Sequence, residues 1–174
     1  MSEDDQAAVA ASDEQEFEEV YTSQGYDRYC ELVGQLCEIA DIPDAQNVIA
    51  RKHLEMHGFD IVVEHMEEDV DAMYLQFDFG ATTQGRTLRI FRLMLESNYL
   101  IYAQDQAQLG LDPDNGTVRL IVRVPMTDDI DGAWLSETVE HYVEHGRYWR
   151  ENLLVAPEEL FEAISAGDYL WLKM

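Results

Sequence analysis

Two histidines and a glutamate in the C-terminal third of the sequence have the spacing of a zinc-dependent hydrolase site. They are His141, Glu144 and His145, in the pattern H-x-x-E-H. On a helix the histidines would lie four residues apart on one face and could supply two zinc ligands, and the glutamate could act as a general base. A catalytic zinc site also requires a third protein ligand. The motif therefore raises the hypothesis of a metalloprotease, which depends on where that ligand would come from.

The element that would position this motif provides a second interpretation. Residues from about Asp131 to Asn152 have the apolar periodicity of a long amphipathic helix. Its stripe contains Leu135, Val139, Tyr142, Val143, Trp149 and Leu153, with Gly146 as a small contact point. The histidines fall on the polar flank of that stripe, and the third ligand would have to come from glutamates 158, 159 or 162. The sequence favours a structural helix, so we predict no metal, no cofactor and no enzymatic activity.

Other residues with potential chemistry do not form a catalytic pattern. His53 and His57 are four residues apart but fall in a predicted strand and turn, where helical ligand geometry is lost. The segment beginning at Asp112 resembles the start of a calcium loop, but its twelfth position is Arg123, where a bidentate glutamate is required. The sequence contains no Gly-rich phosphate loop and no nucleophile beside a base. The sequence therefore offers no good candidate for a catalytic site.

The charge of the chain restricts its partners. Eleven basic and thirty-six acidic side chains give a net charge of −25 over 174 residues. Such an excess disfavours nucleic acids and anionic membranes as partners. It is typical of a very soluble protein, and it would also suit one that handles sticky or basic clients.

The cysteines and the hydropathy pattern predict a cytoplasmic protein. Cys30 and Cys37 lie seven residues apart on a predicted helix, about 10 Å along its axis, which is too far for a disulfide. We expect free thiols in a reducing compartment. The sequence contains no signal-peptide pattern and no apolar run of transmembrane length.

The periodicity along the chain predicts an α+β fold with an antiparallel sheet, in the order α-β-β-β-α-β-β-α plus a C-terminal helical extension. The predicted elements are a helix from about Gln24 to Ala40, strands Val48–Met56, Phe59–Met66 and Met73–Phe79, a helix from Thr87 to about Asn98, a strand hairpin closed at Asp112–Gly116, the helix from about Asp131, and a short helix Glu158–Ile164. We divide the chain into an acidic tail predicted to be disordered (1–22), an α+β domain (23–155) and the extension (156–174).

The helix that begins at Thr87 is too apolar for an ordinary surface helix. Its apolar positions cover most of its circumference: Leu88, Ile90, Phe91, Leu93, Met94 and Leu95. A helix that is apolar nearly all round should be buried on more than one side. In a chain of this length, the second buried side predicts a partner subunit.

The same region contains a longer pattern. Its parts are Leu88-x-x-Phe91-x-x-x-Leu95-Glu-Ser-Asn98, Ala107-x-Leu-Gly-Leu-Asp112-x-x-x-Gly116, Val118-x-Leu-x-x-x-Val124-Pro and, later, Tyr148-Trp149-Arg150. Together these segments resemble the class I type III secretion chaperones, the Tir-chaperone-like family, whose element order is the predicted one. The resemblance covers about Ser23 to Leu154 and does not include the tail or the extension.

The resemblance implies a homodimeric, non-enzymatic chaperone of the bacterial cytoplasm. It would bind the N-terminal region of a secreted effector and keep that region soluble and secretion-competent, without a cofactor. The implied dimer interface contains Leu88, Phe91, Leu95, Tyr99 and Leu109. The client would bind by strand addition and through an apolar groove lined by Leu32, Leu36, Ile39, Phe59, Ile61 and Val63, for each of which core packing is the alternative. An acidic adaptor of the same fold, binding a secretion or transcription component, is the alternative function.

Overall fold

The computed structural model of the protein describes residues 24–165, and for residues 100–105 it describes the backbone alone. The predicted acidic tail and residues 166–174 of the predicted extension lie outside the described residues. The α+β fold with an antiparallel sheet, predicted from the periodicity, is confirmed.

Five antiparallel strands form one sheet in the spatial order β1-β2-β3-β5-β4. Their bounds are His53–Met56 (β1), Phe59–Met66 (β2), Asp69–Ala81 (β3), Ala107–Leu111 (β4) and Thr117–Pro125 (β5). Side chains of the central strand β3 alternate between the buried core and the opposite face, as period-two patterning dictates. The two edges of the sheet are β1 and β4.

The helices bury the apolar face of this sheet. Their bounds are 24–39 (α1), Ala45–Arg51 (α2), Thr87–Asp105 (α3), Gly132–Trp149 (α4) and Glu158–Ser165 (α5), with a π-helical turn Arg150–Leu154 after α4. None of the helices between residues 24 and 165 is both long enough and apolar enough to cross a membrane.

The predicted first strand, Val48–Met56, was wrong over most of its length. The segment forms helix α2 and only then strand β1. Asp44 caps the helix, since its side chain accepts a hydrogen bond from the backbone N–H of Asn47 at 3.2 Å. The adjacent Val48 and Ile49 suggested a strand, but both are buried from the helix, so tertiary packing decided their conformation.

The central helix is longer than predicted. Instead of ending near Asn98, α3 continues to Asp105 and ends at Gln106, which adopts a left-handed conformation with φ 51°. The sequence contains neither glycine nor proline between Asn98 and Gln106, so nothing in that segment interrupts the helix. The structure therefore keeps Tyr99 on the helix with Leu88 and Leu95.

The end of α4 is anchored to the sheet by Trp149 and Arg150. Trp149 is buried, and its ring lies 6.4 Å from that of Phe79. The Arg150 guanidinium donates to the backbone carbonyls of Gly58, Asp78 and Phe79 at 3.1–3.2 Å. The helix predicted to reach Asn152 becomes the π-helical turn at this arginine.

Candidate protein-interaction surfaces

Helix α3 presents two opposite apolar faces. One face, formed by Ile90, Leu93 and Met94, is buried against the core of the chain. On the other side of the helix, three of the four predicted interface side chains on α3 are exposed to solvent: Leu88 (82%), Leu95 (72%) and Tyr99 (84%). Phe91, the fourth, is partly buried between the two faces. We call Leu88, Phe91, Leu95 and Tyr99 the α3 stripe.

Leu109, the fifth predicted interface residue, does not belong to this surface. Its side chain is buried in the core from β4. Its backbone contacts α3 instead: its N–H donates to Asn98 Oδ1 at 2.6 Å, and its carbonyl accepts from Asn98 Nδ2 at 3.0 Å. The structure thus places Leu109 beside the stripe and not on it.

The edge of β4 is occupied in part by that contact. Asp112 N–H donates to the carbonyl of Thr117, so alternate residues of β4 direct their backbone groups towards β5 and the others direct them outward. Leu109 is one of the outward residues, and the Asn98 amide bonds both of its backbone groups. Sequence reasoning used Asn98 only as part of a pattern and missed this function.

The opposite edge, β1, contains two residues whose outward backbone groups meet no further strand in the part of the chain that the structure describes. Val63 N–H donates to the carbonyl of Lys52 at 2.9 Å. Because residues of an antiparallel strand direct their backbone groups alternately to one side and the other, this bond determines which residues of β1 face β2. His53 and Glu55 therefore direct their N–H and C=O groups away from β2. An unpaired edge of this kind is a template for another strand.

Most of the predicted client-binding side chains are in the core. The five that are buried come from α1 and β2: Leu32, Leu36, Phe59, Ile61 and Val63. Ile39, near the end of α1, is 53% exposed. In this conformation only Ile39 among the six presents substantial surface to a partner.

The histidine motif forms as predicted on the face of a helix. The ring centroids of His141 and His145 are 4.6 Å apart on α4, and Glu144 forms an ion pair with Arg147. Among the side chains that the structure describes, no three from histidine, cysteine, aspartate or glutamate converge closely enough to hold a metal ion.

Polar side chains on the sheet face opposite the core are organised around Asp69. Its carboxylate accepts two hydrogen bonds from Arg123, at 2.6 and 2.7 Å, and one from the Tyr74 hydroxyl at 2.7 Å. The hydrogen bonds from Arg123, and then that from Tyr74, hold the pKa of Asp69 below its usual value. This cluster links β3 to β5 on the face that the core does not cover.

The two cysteines are free thiols, as predicted from their spacing. Cys37 is buried from α1, and burial raises the pKa of its thiol. A raised pKa keeps the thiol protonated and unreactive near neutral pH, so it behaves as an apolar core residue.

Comparison with known proteins identifies the family. The model of the Tir chaperone protein (CesT) family matches residues 33–150, which is more than half of the chain. The protein therefore belongs to the Tir chaperone protein (CesT) family, and the resemblance inferred from its sequence is confirmed. No curated protein sequence matches the chain significantly.

Two solved structures are similar in fold. A chain in the ExsC–ExsE complex aligns with 18% identity and a TM-score of 0.51, covering 60% of this chain and 77% of that one. A chain in the HopA1–SchA chaperone–effector complex aligns with 17% identity and a TM-score of 0.45, covering 56% and 73% respectively. At these identities the likeness concerns the fold alone.

Proposed function

We propose that the protein is a bacterial cytoplasmic type III secretion chaperone that acts as a homodimer. It binds the N-terminal region of a secreted effector and keeps that region soluble and secretion-competent. The match to the CesT family over residues 33–150 carries this proposal. The structure adds two surfaces suited to protein contacts, the α3 stripe and the open edge of β1.

The α3 stripe is the proposed dimer interface. Leu88, Leu95 and Tyr99 are almost wholly exposed in the single chain, which is unfavourable for side chains of this size. Burying each leucine contributes about 1.5–3 kcal/mol. A two-fold arrangement would place the same stripe of each copy against the other, so one helix would supply both halves of the interface.

The edge of β1 is the proposed site of client binding. The outward backbone groups of His53 and Glu55 can pair with an extended segment of the client, as in other cases of strand addition. Ile39 is the proposed apolar contact among the predicted residues. The other five lie in the core, on α1 and β2, and they would contact a client only if that part of the core opened.

The charge of the chain supports a holding function. A dimer of two chains that each carry a net charge of −25 is repelled by other dimers. This repulsion limits further association of chaperones that hold unfolded segments. Strand addition and apolar contacts require no covalent step, so the proposed activity is binding alone.

A proline at the edge of β1 tests client binding. In Glu55→Pro the lost N–H points outward, so the ladder between β1 and β2 keeps its bonds while the edge loses a donor. We expect tagged Glu55→Pro protein, expressed in the source cells, to recover less than a tenth of the effector recovered by the wild type.

Glu55→Thr is the matched control, because it removes the same carboxylate but keeps the N–H. It should recover the effector normally. Equal recovery by the proline and threonine variants would rule out strand addition at β1. Recovery of a secretion or transcription regulator in place of an effector would favour the adaptor function.

A further inference from the structure

The C-terminal helix α5 follows the π-helical turn and contacts one flank of α3 through side chains. It lies beyond residues 33–150, the part of the chain that matches the family. Phe161 and Ile164 of α5 are buried, so the helix is a docked element of the fold. Its attachment continues through the preceding segment, where Ala156 accepts a hydrogen bond from Arg86 Nη1 at 2.7 Å.

The contact between the two helices is built from paired charges. Arg86 donates to Glu158 at 2.7 and 3.0 Å, and Arg89 donates to Glu162 at 2.8 Å. Arg86 is the N-cap residue of α3 and Arg89 lies in its first turn, and the two glutamates are one turn apart on α5. The pairs therefore form two successive rungs between the helices.

Phe161 lies between these rungs. The Arg86 guanidinium is 4.5 Å from the centre of its ring, and the Arg89 guanidinium is 6.0 Å away. Cations over an aromatic face are attracted by the ring. The arginines thus bind α5 through both its carboxylates and its central aromatic side chain.

This contact and that of Asn98 are on opposite flanks of α3. The arginines attach the N-terminal half of the helix to α5, and Asn98 attaches its C-terminal half to β4. The core face and the α3 stripe lie between these flanks. Fixing both flanks determines the rotation of the helix about its axis, and with it the direction in which Leu88 and Leu95 point.

We propose that α5 is a strap that fixes α3 in the orientation needed for pairing with a second copy of the chain, so that docking of α5 sets the affinity of the dimer. This inference rests on the proposed dimerisation through the α3 stripe. If only a fraction of the chains have α5 docked, the apparent dissociation constant of the homodimer rises by the inverse square of that fraction, because both copies must be docked. Undocking in two chains of three would therefore weaken the dimer about tenfold.

Charge reversal at Glu162 tests the strap in the full-length protein. Glu162→Arg places a second positive charge opposite Arg89, and this repulsion should undock α5. We expect the dimer dissociation constant, measured by sedimentation velocity, to rise about tenfold. Hydrogen exchange of residues 158–165 should accelerate in the same variant. Glu159→Arg, an exposed position on the same helix with the same change of charge, is the control and should match the wild type in both measurements.

Reversing both partners provides the rescue. The Arg89→Glu, Glu162→Arg double variant rebuilds the ion pair with opposite polarity, and should restore the dissociation constant to within about threefold. Faster exchange in α5 with an unchanged dimer would overturn the strap, as would unchanged exchange in Glu162→Arg. A wild-type protein that is monomeric at 100 micromolar, by contrast, would refute the proposed dimer itself.

Discussion

The side-chain amide of Asn98 bonds both backbone groups of Leu109, accepting from its N–H at 2.6 Å and donating to its carbonyl at 3.0 Å. An amide side chain carries both a donor group and an acceptor group, as a backbone residue of a neighbouring strand does. Asn98 therefore pairs with one outward residue of β4 and attaches α3 to the sheet. This contact occupies part of the edge beside the α3 stripe, while β1 keeps outward backbone groups at the other edge.

Removing the Asn98 amide should destabilise the protein. Asn98→Ala leaves a partly buried N–H and carbonyl of Leu109 without these partners, which costs about 1–3 kcal/mol in the free energy of unfolding. Urea denaturation measures this loss. Asn47→Ala, an exposed position on α2, should change the free energy by less than about 0.5 kcal/mol; a similar effect of both variants would mean that the contact contributes nothing.

A carboxylate within the α3 stripe should dissociate the dimer without unfolding the monomer. Leu95→Asp would place an unpaired charge in the proposed interface, at a cost of about 3 kcal/mol or roughly a hundredfold in the dissociation constant. Light scattering reports the change in mass, and circular dichroism reports the fold. Val155→Asp introduces the same charge at an equally exposed apolar position outside the stripe, and should leave the dimer intact.

Truncation of the central aromatic residue of α5 should loosen the helix. Phe161 is fully buried, and Phe161→Ala removes its packing, which typically costs about 3–5 kcal/mol. Thermal unfolding would show this as a lower Tm or as an early transition confined to α5. Leu160→Ala, on the exposed side of the same helix, should have little effect, and equal losses would contradict the docked position of α5.

Gly146 should tolerate no side chain. A Cβ at this position of α4 would lie 2.6 Å from ring carbons of both Phe59 and Phe79. We expect Gly146→Ala to destabilise the protein by about 1–3 kcal/mol because the aromatic core must shift. At Gly34 of α1 a Cβ meets nothing within 4 Å, so Gly34→Ala should stabilise the protein by about 0.5–1 kcal/mol; chemical denaturation of both variants tests this difference in sign.

The cluster around Asp69 should stabilise the protein in a pH-dependent way. Arg123, and then Tyr74, lower the pKa of Asp69 in the folded state. The resulting stabilisation is fully present above the unfolded value, near 3.9, and is lost as the pH falls through the lower folded value. The difference in unfolding free energy between wild type and Arg123→Gln should therefore be larger at pH 7 than at pH 2. A difference independent of pH would show that the ion pair is not its source.

Local patterns in the sequence were sufficient to predict four of the five strands and the two-sided character of α3. The alternation in β3 and the Asp112–Gly116 turn are determined by neighbouring residues, and both appear as predicted. The conformation of Val48 and Ile49 was not predictable in the same way. Both are β-branched residues, which favour a strand, but here they are buried from a capped helix, so tertiary packing overrides the local preference. The length of α3 was missed for a related reason, since its last turns resemble a strand in composition.

The interaction surfaces depend on contacts between residues that are distant in sequence. The pairing of Arg86 with Glu158 joins positions 72 residues apart, and periodicity contains no information about which carboxylate an arginine will meet. The predicted client residues illustrate the same point. Leu36 and Ile39 have similar positions on one apolar face, but only the complete packing distinguishes the buried side chain from the exposed one.

The most direct test of the chaperone function is limited proteolysis, followed by mass spectrometry, of the complex that the full-length protein forms in its source cells. We predict two copies of the chain bound to one secreted effector, with a protected client fragment of thirty or more residues at the effector's N-terminal end. The protection should persist without nucleotide. Recovery of the chain alone, or of a folded partner whose N-terminal region is cleaved as fast as in the free protein, would contradict the assignment.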